Sequence, residues 1–315
     1  MSVDSATDLG SEGVLKWAGG STWYRTVGDL TGGPAPVVVC HGGPGLTHDY
    51  LLSLAALAAG GRACVFYDQL GNGRSDHRPD AADGFWTVPL FLTELRALLT
   101  HLGITDRYHL LGHSWGGLLA LELATERPAG LRSLVLADSF AAGETYRAEV
   151  GRLRDELPDA VRAALAGPPD DPGYAEAVSA FYARHVCRMR PVPDEVLRTL
   201  GAVREDPRVY ETMAGGNEFD LRGHLADWDI RDRLGRVAVP ALLISGRYDE
   251  VTPAAVAELH HGLSSSRWEL FEESSHMPHV EEPEHFRATV DAFLAGIDAA
   301  DGRPATSDHV RSAVR

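Results

Sequence analysis

Short apolar runs and longer helical stretches alternate along the 315-residue chain. Residues 37–40 (VVVC), 63–68 (ACVFYD), 108–112 (YHLLG), 131–138 (LRSLVLAD), 241–246 (ALLISG) and 267–272 (RWELFE) are β-rich and bounded by turn residues. Between them the pattern predicts helices over roughly 87–102, 115–127, 253–263 and 283–297. Strands that read as near-continuous apolar runs, each followed by a helix, predict a parallel sheet covered on both faces, the α/β class. Residues 11–30, with Trp17, Trp23 and Tyr24 around Gly19-Gly20, predict an antiparallel hairpin at the sheet edge.

The alternation breaks between about 141 and 228, where the pattern turns helical and charged, with turns at Gly167-Pro168-Pro169 and Pro191-Val192-Pro193. An all-helical insertion in an α/β sheet commonly forms a lid over the strand ends, where ligands bind. The expected organisation is a core in two parts, residues 1–140 and 229–298, a helical cap over 141–228, and a polar, frayed tail from 299 to 315.

Composition narrows the function. A formal net charge of −16 argues against a nucleic-acid partner, because phosphate binding needs clustered Lys and Arg. The cysteines, Cys40, Cys64 and Cys187, have no metal-ligand or disulfide spacing, and Cys40 and Cys64 sit in strand-like runs where packing is the expected role. The first residues, MSVDSATDLGSEG, lack the basic and apolar regions of a secretory signal, and no run reaches the length of a membrane span. The expectation is a cytoplasmic protein without a membrane partner.

Two glycine-rich turns carry the candidate chemistry. The strand at 108–112 runs into Gly112-His113-Ser114-Trp115-Gly116-Gly117 and then a helix, the G-x-S-x-G arrangement in its strand–turn–helix context. Its flanking glycines permit a sharp turn that lifts the Ser114 hydroxyl out of the sheet; His113 is expected to point away from it, into the fold. A serine hydroxyl needs a base and an orienting acid, which in this arrangement follow as acid, then histidine. Asp249 lies in the loop after the strand at 241–246, and His276 in the loop after the strand at 267–272. Of the competitors, His279 and His285 fall at or inside a helical segment, where surface solvation is expected; Asp229 precedes a strand, and Glu250 adjoins Asp249. Acyl transfer also requires two amides aimed at the oxyanion. Trp115 follows the nucleophile, and Gly43 of His41-Gly42-Gly43-Pro44-Gly45 is the second candidate, since Pro44 has no N–H. The Gly-rich segment 67–76 (YDQLGNGRSD) lacks the phosphate-loop lysine and is read as a structural loop at the pocket floor.

HGGPG, YDQLGNGRSD, GHSWGG, NEF (217–219) and GRYDEVTP (246–253), in this order, resemble the proline iminopeptidases and related aminoacyl-amide hydrolases of the α/β-hydrolase superfamily. The resemblance implies the α/β-hydrolase fold with an inserted helical cap and a serine aminopeptidase that needs no metal or organic cofactor. It also implies that Glu218 and Glu250 hold the free α-ammonium of a small peptide or aminoacyl-amide substrate, releasing proline or another small residue. Gly216 stands where the family often has proline. Relatives that remove aminoacyl groups from secondary-metabolite amines, an esterase indifferent to the free amine, and a non-catalytic binding protein are the alternatives. Tyr174, Phe181, Tyr182 and Tyr210 are expected in the core of the cap rather than lining its pocket.

Overall fold

A computed structural model describes residues 10–300 and 302. The start of the chain weighed above for a secretory signal therefore lies mostly outside the described residues. So does the expected tail, apart from its first residues and Gly302.

The strands are β1 (Ser11–Trp17), β2 (Gly20–Val27), β3 (Val37–Cys40), β4 (Cys64–Tyr67), β5 (Tyr108–His113), β6 (Leu131–Ala137), β7 (Ala241–Gly246) and β8 (Ser266–Phe271). They form one sheet in the order β1-β2-β4-β3-β5-β6-β7-β8. The β1–β2 hairpin joins β4 antiparallel, and every other pair is parallel. The strand side chains divide by period 2. Val38, Cys40, Val65, Tyr67, Leu110, Leu134, Leu136 and Leu243 enter one core, whereas Val37, Val39, Cys64, Phe66, Leu111, Val135, Leu242 and Ile244 enter the core on the opposite face. Because both faces are covered, these strands read as unbroken apolar runs.

The helices are α1 (Val88–His101), α2 (Trp115–Thr125), α3 (Gly143–Asp155), α4 (Asp159–Leu165), α5 (Pro172–His185), α6 (Asp194–Glu205), α7 (Arg208–Met213), α8 (Pro253–Gly262), α9 (Pro278–Glu281) and α10 (Pro283–Ala300). Thr-x-Pro and Thr-Pro start two of them: Thr87 Oγ1 accepts from Leu90 N at α1, and Thr252 Oγ1 from Ala255 N at α8, each with proline in the first turn. A 3₁₀ segment over Asp49–Gly60, which the periodicity did not assign, buries Tyr50, Leu51, Leu54 and Leu57.

Helices α3 to α7 lie between β6 and β7. The two ends of this insertion meet where Ala142 bridges Asp229, with Gly143 N donating to Trp228 O (2.8 Å) and Ile230 N to Ala141 O (3.0 Å). Phe181 and Tyr210 are buried, as expected, and Tyr174 and Tyr182 pack partly exposed against the same core.

A buried ion pair ties α10 to the sheet. Arg62 donates to Asp298 Oδ2 (2.7 Å) and to Ala35 O (2.6 Å), and both side chains are almost wholly enclosed. Burial opposes the charge on Asp298, but hydrogen bonds from His109 and Arg62 outweigh it and hold the carboxyl down at about 2. Asp298→Ala leaves a buried guanidinium unpaired and is expected to destabilise the fold by about 3 to 5 kcal/mol in urea unfolding. Because the folded value lies below the unfolded value of about 3.9, this contribution is complete above the unfolded value and fades as pH falls toward the folded one. The variant should lack that part of the parent's acid sensitivity.

Candidate active site

The parallel strands β3 to β8 end at one edge of the sheet, so loops distant in sequence converge there. Ser114 stands at the turn from β5 into α2 with φ 54° and ψ −124°, a conformation that costs on the order of 1 to 3 kcal/mol in a non-glycine residue. The residues two before and two after it must be glycine. A Cβ on Gly112 would lie 2.3 Å from Gly116 O, and one on Gly116 would lie 2.0 Å from Cys40 O. The strained turn is held by Ser114 N donating to Ala137 O (2.8 Å) and by Ser139 Oγ donating to Ser114 O (2.9 Å). The Ser114 Oγ itself has no hydrogen-bond partner among the described residues, and Ser114 lines a narrow, partly open cavity together with Gly43, Trp115 and Glu218.

His276 is 5% exposed, and its Nδ1 lies 2.7 Å from Asp249 Oδ1, which also accepts from Val251 N at 2.9 Å. With Nδ1–H given to the carboxylate, Nε2 is the free lone pair; its nearest carboxylate contact is Glu250 Oε1, at 3.7 Å. Burial works against a charged ring, but the charge and hydrogen bond of Asp249, aided by Glu218, prevail and raise His276 above the usual histidine value.

A chain of hydrogen bonds links the serine, histidine and glycine loops. Gly42 N donates to the Tyr50 hydroxyl (2.8 Å), Tyr50 lies 2.7 Å from His113 Nδ1, and His113 Nε2 lies 2.6 Å from His276 O. Only one proton arrangement satisfies it: Tyr50 donates to Nδ1, and Nε2–H donates to the carbonyl, so His113 is neutral. Burial, followed by the charges of His276 and His279, holds His113 well below the usual histidine value, in agreement. His113 thus points into the fold, as expected, and there it grips the backbone of His276.

Gly43 (φ 110°), Trp115 and Ser114 line the same cavity, and neither the Gly43 nor the Trp115 amide has a hydrogen-bond partner among the described residues. A Cβ on Gly43 would fall 2.5 Å from Gly45 N, and one on Gly45 would fall 2.8 Å from Tyr210 N. The HGGPG glycines are therefore demanded by the turn and by the close approach of α7. The 67–76 loop braces this region from behind rather than flooring the pocket: Gln69 accepts from the Trp115 indole (2.8 Å) and donates to His41 O (3.0 Å).

Glu250 is 1% exposed, and Glu218 faces the cavity. Burial raises both carboxyls, Glu250 strongly because the Glu218 and Asp249 charges add to it; the neighbouring Tyr210 hydroxyl, the His276 charge and Glu250 temper the rise at Glu218. Asn217 shapes the Glu218 loop, its Oδ1 accepting from Phe219 N at 3.2 Å and its Nδ2 donating to Tyr174 Oη at 3.0 Å. Gly215 takes φ 140°, so the chain reverses one residue before Gly216. Leu118, Phe140, Tyr146, Leu221 and Leu225 supply an apolar wall.

His279 departs from expectation. It is 1% exposed, lies 3.1 Å from Tyr50 O through Nε2, and burial pushes it down to about 3. The short helix α9 tucks it against the 3₁₀ segment, which periodicity could not reveal. His285 is about half exposed, and Asp229 pairs with Arg231 at the surface. Tyr50 and Asp138 were not singled out from sequence. Asp138 had a signal, a charged residue closing the buried run of β6; Tyr50 had none.

The fold has close counterparts. A family model described as alpha/beta hydrolase fold matches residues 35–283. The chain is 36% identical over 288 residues to a proline iminopeptidase of Saccharolobus solfataricus, covering 90% of this chain and 92% of that one. It is 37% identical over 294 residues to a proline iminopeptidase of Clostridium botulinum, covering 90% and 98%. Among solved structures it is similar to a proline iminopeptidase of Mycobacterium smegmatis, with 41% identity and a TM-score of 0.87 over 92% of this chain and 100% of that one. It is also similar to VinJ, with 45% identity and a TM-score of 0.89 over 91% and 99%.

Tyr50→Phe keeps the ring but strands the Gly42 N–H and His113 Nδ1. The expected outcome is a loss of about 1 to 3 kcal/mol in chemical unfolding, the cost of buried polar groups left without partners. Parental stability would mean that this hydrogen-bond chain contributes nothing.

Proposed function

The chain belongs to the proline iminopeptidase family of the α/β-hydrolase superfamily, and from that premise we propose that it is a serine aminopeptidase releasing an unblocked N-terminal residue, proline or another small apolar one. The observation that carries this reading is the pair Glu218 and Glu250, two acids beside Ser114 and His276 with no Lys or Arg as partner among the described residues, the nearest basic group being the His276 ring, 3.7 Å from Glu250. A primary or secondary α-ammonium supplies the missing cation, and charge-assisted hydrogen bonds to it contribute roughly 1.5 to 3 kcal/mol each.

In this reading Ser114 Oγ attacks the carbonyl carbon of the first residue as His276 Nε2 takes its proton. Asp249 holds the ring by Nδ1 and stabilises the imidazolium. The Gly43 and Trp115 amides receive the oxyanion. The C–N bond breaks as His276 returns the proton to the leaving amine; water, deprotonated by the same ring, then hydrolyses the acyl-serine and regenerates Ser114. The apolar wall suits a small side chain or a pyrrolidine ring. Residues 141–228 act as the cap that closes the cavity, a division supported by the pairing of Ala142 with Asp229 at its base. No described helix is long and apolar enough to cross a membrane. The unpaired state of Cys40, Cys64 and Cys187 supports a cytoplasmic site of action.

A panel of aminoacyl anilides, free and N-acetylated, tests the assignment. Ser114→Ala is expected to abolish turnover. Glu218→Gln and Glu250→Gln should each lower kcat/KM about 10- to 100-fold on free-amine substrates, the equivalent of losing one charge-assisted bond. Equal turnover of acetylated and free substrates by the parent would overturn the reading. Since His276 must be neutral to accept a proton and its value is raised, kcat/KM should climb with pH through a midpoint above the ordinary histidine value of about 6.5.

A further inference from the structure

Asp138, the residue that closes β6, takes no part in the steps above, yet it is wholly buried against them. It adopts φ 55°, and its Oδ1 accepts from Gly246 N at 3.2 Å. Asp138, Asp249 and His276 each place a ligand-type atom within 4.8 Å of the others. Oδ2 of Asp138 and Oδ2 of Asp249 are both buried without a hydrogen-bond partner among the described residues. Two enclosed carboxylates side by side, each with an orphaned oxygen, repel each other and forgo a bond apiece.

The surrounding groups cannot supply the missing donor. His113 Nε2 comes within 3.7 Å of Asp138 Oδ2, but its proton is committed to His276 O at 2.6 Å. His276 gives Nδ1–H to Asp249 Oδ1. Glu281 adds a further negative charge nearby and is itself engaged by Ser275 N and Oγ. One proton between the two orphaned oxygens satisfies both at once.

We propose that Asp138 is a neutral carboxylic acid that donates a hydrogen bond to Asp249 Oδ2, making it a positioning residue that fixes the orienting carboxylate and moderates its hold on His276. Burial, then the charge and hydrogen bond of Asp249, raise Asp138 far above the usual carboxylate range, in the same direction. Asp249 then receives Val251 N–H and His276 Nδ1–H on one oxygen and Asp138 on the other, so it cannot rotate away from the ring. A donor on Oδ2 also draws off part of the charge that would otherwise raise His276 further.

The proposal rests on His276 acting as the base, and its test separates the two. Asp138→Asn retains an N–H for Asp249 and a carbonyl for Gly246 N, whereas Asp138→Ala removes the donor. Expected for Asp138→Asn are near-parental kcat/KM and an unmoved acidic limb of the pH profile. Expected for Asp138→Ala are a loss of about tenfold in kcat/KM, the scale of one hydrogen bond to a charged group, and a limb displaced to higher pH. If Asp138 is instead ionised, both variants remove a negative charge near His276 and move the limb to lower pH, which overturns the proposal. A limb unmoved in Asp138→Ala, with stability alone reduced, also overturns it. Infrared difference spectroscopy of the resting protein supplies an arm independent of catalysis and of whether the Ala variant folds. A protonated-carboxyl C=O band present in the parent and missing in Asp138→Asn is expected, and its absence from the parent counts against the proposal.

Discussion

Too many acids crowd one imidazole: buried Asp249 bonds His276 directly, buried Glu250 lies 3.7 Å from its other nitrogen, and buried Asp138 and partly buried Glu218 complete the group. Enclosed carboxylates without cations are strongly disfavoured, so each must find a proton, a donor or a positive ligand. That constraint divides the group in two. On the Nδ1 side, Asp249 is satisfied inside the protein and serves to orient the ring. On the cavity side, Glu218 and Glu250 share one site with no Lys or Arg to answer them among the described residues, only the His276 ring, which leaves room for the ammonium of a substrate.

A parallel sheet makes such crowding possible. Loops following β5, β6, β7 and β8 emerge at the same edge, and the loop after β3 closes over them. Close approach there is bought with glycine: Gly112 and Gly116 leave no space for a Cβ, and Gly45 lies against the backbone of Tyr210. Neutral side chains then carry the fixing. The chain Gly42–Tyr50–His113–His276 O holds the glycine loop and the histidine loop in one register, and it works only while His113 stays uncharged.

The strand periodicity anticipated β3 to β8 to within a residue or so at each end, because strands buried on both faces leave unbroken apolar runs in any register. Ser114, Asp249 and His276 were legible for a related reason, since each follows such a run and precedes a helix. Glu218 was not legible from local pattern at all. An acid in a cap loop looks like any solvated acid, and only the family resemblance singled it out. His279 was misplaced for the converse reason: α9 spans only Pro278–Glu281, too short for a helical face to be read, and its burial depends on the distant Asp49–Gly60 segment.

By itself the sequence determined the α/β alternation, the glycine-framed turns and the order nucleophile, acid, histidine, because these are set by side-chain period and by local backbone freedom. Which groups touch was decided only by tertiary structure. The closeness of Asp138 to Asp249, of Glu218 to Glu250, and of Tyr50 to His113 joins positions far apart along the chain, and no local pattern encodes them. The protonation of those groups follows from that proximity, since charge cost depends on what encloses a carboxyl and not on its neighbours in sequence.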